Sequence, residues 1–519
     1  MNEEFCLLDE PWLPVRLAGG QVVSLGLLEL FERSGEVSAL AETVPPNLVA
    51  QYRLLLAIVH RAMTAARGQW REKDRAQWFR AGLPLAEIRA YLEAWRQRFG
   101  LFHPQFPFMQ VAALSTAEET RDKRKPWTQI ALASASGNTP MVFDHACDLA
   151  PIAIRPATAI ATLLGFLQFT PGGLVKTVRD ADKAGALANT AAVLPVGGTL
   201  AQTLCLALHP APLEDAEPDL PAWERDPPSV ARLRAEPELA TGPNDRYTRL
   251  SRAVLLLREA DGDVRWLRFA AGLALGEDPN APDPMASFRA GSNGLVRMTF
   301  SDGRALWRDL PALVPNTGKD SQAAAVVQDA IGLHQELDSF ESVHQPLLVA
   351  GLASDQAKLL RWRMEQINLP SSLLLDSDKA AELCIHVASA EALFKEMKGL
   401  ATGLLAETLP DPSSKDTRKR ARDLIEAGPL TATYFARAEW ALPALLERIG
   451  AGTGEEAEAF WRTTLREAAS LAWDRVLAGI GRSVRALRAD ARYQPRFRAL
   501  LNRHVPAMAD PIVEEEALP

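Results

Sequence analysis

The chain is 519 residues long, which excludes a single small module and leaves room for two to four domains at about 150 residues each. Apolar residues make up 47% and charged residues 24%, which excludes a disordered or collagen-like chain. With 57 Lys and Arg against 65 Asp and Glu, the formal charge of −8 excludes an evenly basic surface, so any contact with nucleic acid has to be local.

In chain order, the opening predicts short strands at Leu7 and Leu8, Leu13 to Leu17, and Val22 to Leu25, with a Gly19-Gly20 turn between the last two. After Pro45-Pro46 the period changes. Leu48, Tyr52, Leu55, Val59 and Met63 fall on one face of an amphipathic helix. Ile88, Leu92, Trp95 and Phe99 predict a second, ended by Gly100. The most apolar run, Ala157 to Phe169, is shorter than the ~18 residues a membrane span requires. Between Pro210 and Pro243 the sequence is acidic and rich in proline, which predicts an exposed, partly mobile insertion. Arg252 to Leu257 and Val264 to Phe269 flank Ala-Asp-Gly-Asp, the pattern of a β-hairpin. From about Asp378 the period is helical, and Trp461, Leu465, Ala469, Ala472, Val476, Ile480, Val484 and Leu487 predict one long apolar face. The expected fold is α+β, with a large mixed domain over 1–375 and a helical bundle over 376–519.

Cys6, Cys147, Cys205 and Cys384 are far apart and form no CxxC pair, which disfavours a disulfide framework and a zinc ribbon and points to a reducing cytoplasm. The start, Met-Asn-Glu-Glu, lacks the basic region of a signal peptide. Phosphate-binding and hydrolytic signatures are missing. Gly318-Lys319 has Leu313 where a Walker loop needs glycine and Asp320 where it needs a hydroxyl, and there is no HExxH or GxSxG. Asp144 and His145 could form an acid–base pair, but neighbouring residues point in different directions. Metal ligation by Asp144, His145 and Cys147 lacks a second ligand cluster, so no metal and no cofactor is expected.

Basic residues concentrate in three places: Arg121, Lys123, Arg124 and Lys125; Arg418, Lys419, Arg420 and Arg422; and Arg482 to Arg503. In the last, Arg482, Arg485, Arg488 and Arg492 recur at helical spacing and predict a stripe opposite the apolar face, suited to a phosphate backbone. Phe169-Thr170-Pro171-Gly172-Gly173-Leu174-Val175-Lys176 puts a glycine pair after an apolar segment and just before a lysine. Without Cβ atoms, such a backbone can lie flush against a base edge or a phosphate.

The run Phe5-Cys6-Leu7-Leu8-Asp9-Glu10-Pro11-Trp12-Leu13-Pro14-Val15 resembles the opening of the large subunits (CasA) of the type I-E CRISPR surveillance complex Cascade. Further similar segments follow in order: Phe106-Pro107-Phe108-Met109-Gln110, Gly137-Asn138-Thr139 with Val142-Phe143-Asp144-His145, Pro171-Gly172-Gly173, Asp283-Pro284-Met285 and Asp355-Gln356-Ala357, and the C-terminal helices are similar to that family's four-helix bundle. The resemblance implies a non-catalytic DNA-binding subunit. Guide pairing would read the target, and this chain would read a short flanking motif, the PAM, from the minor groove. It places Gly172, Gly173 and Lys176 at the PAM, with a basic residue from Arg246 to Arg252, Arg252 before Arg249, entering the groove. Gln356 becomes a wedge that starts strand separation. Phe143, with Asp144 and His145, would meet the 5′ handle of the crRNA. The implied partners are crRNA, double-stranded target DNA, the other Cascade subunits and a helicase-nuclease, with no membrane. Two departures stand out: the cysteines here cannot form the four-cysteine zinc site of some relatives, and the glycine loop is less glycine-rich than in some members, with Pro171 ahead of its glycine pair. The rival readings are a metal-dependent hydrolase or nuclease built on Asp144 and His145, and a scaffold that contacts only proteins.

Overall fold

The structure, a computed structural model, describes residues 5–132, 148–173, 175–211, 217–301, 303–315, 321–337, 344–355 and 358–506. Contacts divide the chain into two units, one of Met1–Asp302 with Lys319–Asn368, the other of Gly303–Gly318 with Leu369–Pro519.

In the first unit, β1 (Leu13–Leu17), β2 (Val22–Leu25) and, after the short helix α1 (Leu27–Glu32), β3 (Val37–Leu40) form an antiparallel sheet in the order β2-β1-β3. The hairpin pairs Leu13 with Leu25 and turns at Gly20, whose φ is +85°. The strand expected at Leu7 and Leu8 is instead a tight turn. Both side chains are buried, and Trp12 Nε1 donates to Leu7 O at 3.0 Å, so the segment caps the core from a turn rather than joining a ladder.

Helix α2 (Pro45–Arg67) starts with proline at its first position and is buried almost all round, beyond the single apolar face its spacing predicts. It packs against α4 (Leu85–Ala94) and α5 (Pro156–Phe169), with α3 (Glu72–Ala81) and the two-residue strand β4 (Lys125–Pro126) between these in sequence. The periodicity that ran to Phe99 describes two pieces, because α4 stops at Ala94 and Arg96–Phe99 tightens into a 3₁₀ turn.

The chain continues through β5 (Ala191–Pro195), α6 (Leu200–Ala207), α7 (Val230–Arg234) and α8 (Pro243–Thr248) to the hairpin β6 (Arg252–Arg258) and β7 (Val264–Ala271). That hairpin is the expected one, with Arg252 opposite Ala271 and Gly262 at φ +95° in its turn. Then come the hairpin β8 (Phe288–Gly291) and β9 (Gly294–Arg297), strand β10 (Ser321–Gln322), helix α9 (Ala325–Leu337), and the long strands β11 (His344–Asp355) and β12 (Lys358–Pro370). They complete three small sheets, ordered β4-β7-β6, β10-β8-β9 and β12-β11-β5.

The stretch expected as an exposed, mobile insertion is packed into this unit over its described residues. Trp223 is buried with Nε1 donating to Tyr91 Oη at 2.7 Å, Leu233 is buried, and Glu224 pairs with Arg61 at 2.7 Å. Proline forbids regular ladders but not burial. A few anchored side chains suffice to hold an irregular chain.

The second unit contains α10 (Ser371–Leu375), α11 (Ser377–Thr408), α12 (Lys415–Ala427), α13 (Pro429–Ala451), α14 (Gly454–Ile480) and α15 (Val484–His504). Its core stacks aromatics: Trp307 meets Trp461 edge-on at 5.9 Å, Phe394 meets Phe435 at 4.5 Å, and Trp473 lies flat on Phe497 at 4.4 Å. The single long face expected from Trp461 to Leu487 breaks at Gly481, where φ is +72°. Ser483 then starts α15 by accepting from Ala486 N. The break resets the helical phase, leaving Val484 and Leu487 66% and 57% exposed.

Candidate nucleic-acid interface

The glycine pair follows α5 directly. Thr170 closes the helix, its amide donating to Phe166 O at 2.9 Å, and the chain runs out through Pro171, Gly172 and Gly173 before returning through Asp182 to Gly185. Backbone bonds tie the two arms together: Gly173 N to Asp182 O at 3.3 Å, Gly185 N to Thr170 O at 2.9 Å, and Leu187 N to Gln168 O at 2.9 Å. The arms cross closely enough to require glycine at Gly185 and to crowd any side chain at Gly172. A Cβ at Gly185 would sit 2.5 Å from Gln168 O, and one at Gly172 would sit 3.0 Å from Ala184 N. Gly173 is different. It is exposed with φ +82°, and a Cβ there would meet nothing within 4 Å, so its demand for glycine comes from backbone conformation and not from neighbours.

Arg252, the first residue of β6, bridges the arms. Its Nη1 donates to Lys183 O at 2.5 Å and Ser251 O at 2.8 Å, and its Nη2 donates to Pro171 O and lies 2.5 Å from the Asp182 carboxylate. Both side chains of that pair are 1% exposed. Burial pulls the Arg252 pKa down to about 10, against the opposing pull of the Asp182 charge. Of the segment expected to send a basic residue into a groove, the structure buries all three arginines, Arg246, Arg249 and Arg252. Arg246 is buried with Nη2 on Ala281 O at 2.9 Å, and Arg249 is buried on the Asp245 carboxylate at 2.8 Å. Moving any of these guanidinium groups into a ligand would strand buried acceptors.

The exposed cations of the loop are Lys176 and Lys183. Beside its returning arm stands an element that the sequence reading passed over, the β8–β9 hairpin. Arg297 Nη1 donates to Ala186 O at 3.2 Å, and residues 290–296 are exposed without a break. The signal was there in Arg289 and Arg297 flanking Gly-Ser-Asn-Gly, which on its own reads as an ordinary turn.

Two segments of the family resemblance serve the core. Gln110 is buried, donating to Leu101 O and accepting from Leu256 N, both at 2.7 Å, while Phe108 stacks on Phe99 at 5.0 Å. Asp283 is buried in a two-pronged pair with Arg53 at 3.0 and 2.9 Å.

The remaining basic clusters lie on surfaces. Arg121, Lys123, Arg124 and Lys125 are exposed, with Arg124 over the Trp266 ring at 4.4 Å, and Arg418, Lys419, Arg420 and Arg422 project from α12. In the second unit, Arg485, Arg488 and Arg492 are exposed along α15, but the stripe differs from the expected one in two ways. Arg482 precedes the helix, and the arginines flank the buried line Ala486, Ala489, Tyr493 and Phe497 instead of opposing it. Arg492 also pairs with Glu407 at 2.6 Å. Phe143, Asp144, His145 and Gln356 lie outside the described residues. Among the described residues no group of three or more His, Cys, Asp or Glu could hold a metal ion, and no helix is long and apolar enough to cross a membrane.

Comparison with known proteins adds lineage to this geometry. The profile of the family described as CRISPR-associated protein Cse1 matches residues 7–472. The CRISPR-associated protein CasA/Cse1 of Thermus thermophilus is 35% identical, over 96% of this chain and 97% of that protein. A solved structure of Thermus thermophilus CasA (Cse1) superposes with a TM-score of 0.82 at 32% identity, covering 96% of this chain and all of that one. A chain of a CRISPR RNA-guided surveillance complex shares the fold, with a TM-score of 0.75 at 23% identity over 95% of this chain and 99% of its own.

Proposed function

The chain belongs to the CRISPR-associated Cse1 family, and from that premise we propose that it is the non-catalytic large subunit of an RNA-guided surveillance complex, reading the PAM of double-stranded DNA from the minor groove. The observation that carries this reading is the loop at Gly173: a backbone held in place from behind, in a conformation suited to glycine, with open space where a side chain would stand. The minor groove offers mainly a choice between A·T and G·C plus its width, so a flat peptide edge suits it and several PAMs are accepted. Lys176 and Lys183 supply charge at the loop, and the exposed β8–β9 tip lies beside it. Gln356 then opens the first base pairs, Phe143 with Asp144 and His145 seats the crRNA handle, and Arg482, Arg485, Arg488 and Arg492 hold phosphates. The opened complex recruits the helicase-nuclease in the cytoplasm.

Gly173→Ala tests the reading in the assembled complex, on targets that differ only in PAM. Preference for the PAM is expected to fall at least tenfold, while affinity for non-target DNA, carried by phosphate contacts elsewhere, stays within twofold. Preference that survives in a folded, assembled variant makes the glycine pair an ordinary turn.

A further inference from the structure

The most heavily built feature of the loop is not a glycine. Asp182 acts on both sides of it, because its carbonyl accepts the Gly173 amide at 3.3 Å while its carboxylate pairs with Arg252 at 2.5 Å. Arg252 in turn reaches the outgoing arm at Pro171 O and the returning arm at Lys183 O. The far part of the loop is tied to the same hairpin, since Ala271, the residue opposite Arg252, donates to Thr177 O at 3.1 Å. A strand pair is stiffer than a loop, so a loop bolted to one takes its geometry from it.

We propose that Asp182 and Arg252 are a positioning pair that sets the loop for sequence discrimination without touching DNA themselves. The inference rests on the PAM reading above. It assigns selectivity to a buried pair and leaves contact to Gly172, Gly173 and the exposed lysines. Both partners are needed. Asp182 sets a counter-charge beside a guanidinium that burial disfavours, and the fork of Arg252 joins three chain segments, which a lysine ammonium cannot span.

The test uses the assembled complex with Asp182→Asn and Arg252→Lys, each compared with Gly173→Ala. Two measurements are made: affinity for matched duplexes with and without a PAM, and hydrogen exchange of the Gly173 and Gly185 amides. Asp182→Asn is expected to speed exchange at both amides at least tenfold, with the β6 and β7 amides unchanged, and to cut the PAM preference at least fivefold while non-target affinity holds. Arg252→Lys, which keeps the charge but not the fork, is expected to lose less of the preference than Asp182→Asn. Where Asp182→Asn does not assemble, Arg252→Lys alone decides, by a smaller loss in the same two readouts. If Gly173→Ala loses preference and the pair variants keep it, the positioning role is overturned and the PAM reading stands. If all three keep it, both fall.

Discussion

Replacing Arg53 with methionine removes one half of a fully buried ion pair and leaves Asp283 in place. Both side chains are 0% exposed, and the guanidinium meets the carboxylate through two bonds of 3.0 and 2.9 Å while lying 4.2 Å over the Tyr247 ring. After the change Asp283 keeps the Met285 amide at 3.0 Å and the nearby charge of Arg246. Removing one partner of such a pair costs about 3 to 5 kcal/mol, since the remaining charge has nowhere to go. The sign with pH follows from the shift. Burial works to raise the Asp283 pKa, but the charge and hydrogen bonds of Arg53, with the Arg246 charge and the Met285 amide, together outweigh it, so the folded value lies below the ordinary one. In the wild type this stabilisation is present above the unfolded value of about 3.9 and is lost as pH falls through the folded one. In Arg53→Met, burial acts with less opposition, so the folded carboxyl takes up its proton at a higher pH than in the wild type. The penalty then shrinks by up to about 1.4 kcal/mol per pH unit below the raised pKa. Urea unfolding at pH 7.5 and 5.0, with the first unit followed by hydrogen exchange in α2, reads both effects. A loss under about 1 kcal/mol at pH 7.5, or an equal loss at both pH values, would refute the reasoning, and adding Asp283→Leu should restore much of the stability.

Alanine at Arg485, Arg488 and Arg492 is expected to flatten the salt dependence of DNA binding by up to about 0.9 log unit per lost phosphate contact, with Arg492 contributing least because Glu407 already holds it; an unchanged slope returns the stripe to solvated surface. Burial pulls His60 down to about 4 and His209 well below the usual histidine value, and the two rings stack at 3.8 Å. Both take up protons more readily when unfolded, so stability falls as pH drops from about 6.5 toward 4. His209→Phe keeps a ring and removes one titration, so its stability should decline less steeply over that range, and parallel profiles from denaturant titrations would count against the account.

Much of the architecture was legible because it is local. Amphipathic spacing marks α2 from Leu48 to Met63, and Ala-Asp-Gly-Asp marks the β6–β7 hairpin, since periodicity and turn chemistry act over a few residues. Composition misled where burial depends on distant partners. The proline-rich stretch around Trp223 is anchored by Tyr91 and Arg61, more than a hundred residues away in sequence, and Val484 and Leu487 lost their place in the apolar face when Gly481 reset the phase. The candidate site divides in the same way. Sequence alone identified Gly172 and Gly173 as backbone without side chains and Arg252 as a cation worth placing. Tertiary structure decided that Arg252 lies inside the protein, that Asp182 is its partner, and that the loop is held between them. A guanidinium's charge can be read from its letter. Whether it serves a ligand or a carboxylate depends on which chain segments folding brings within about 3 Å, and no spacing along a single sequence carries that information.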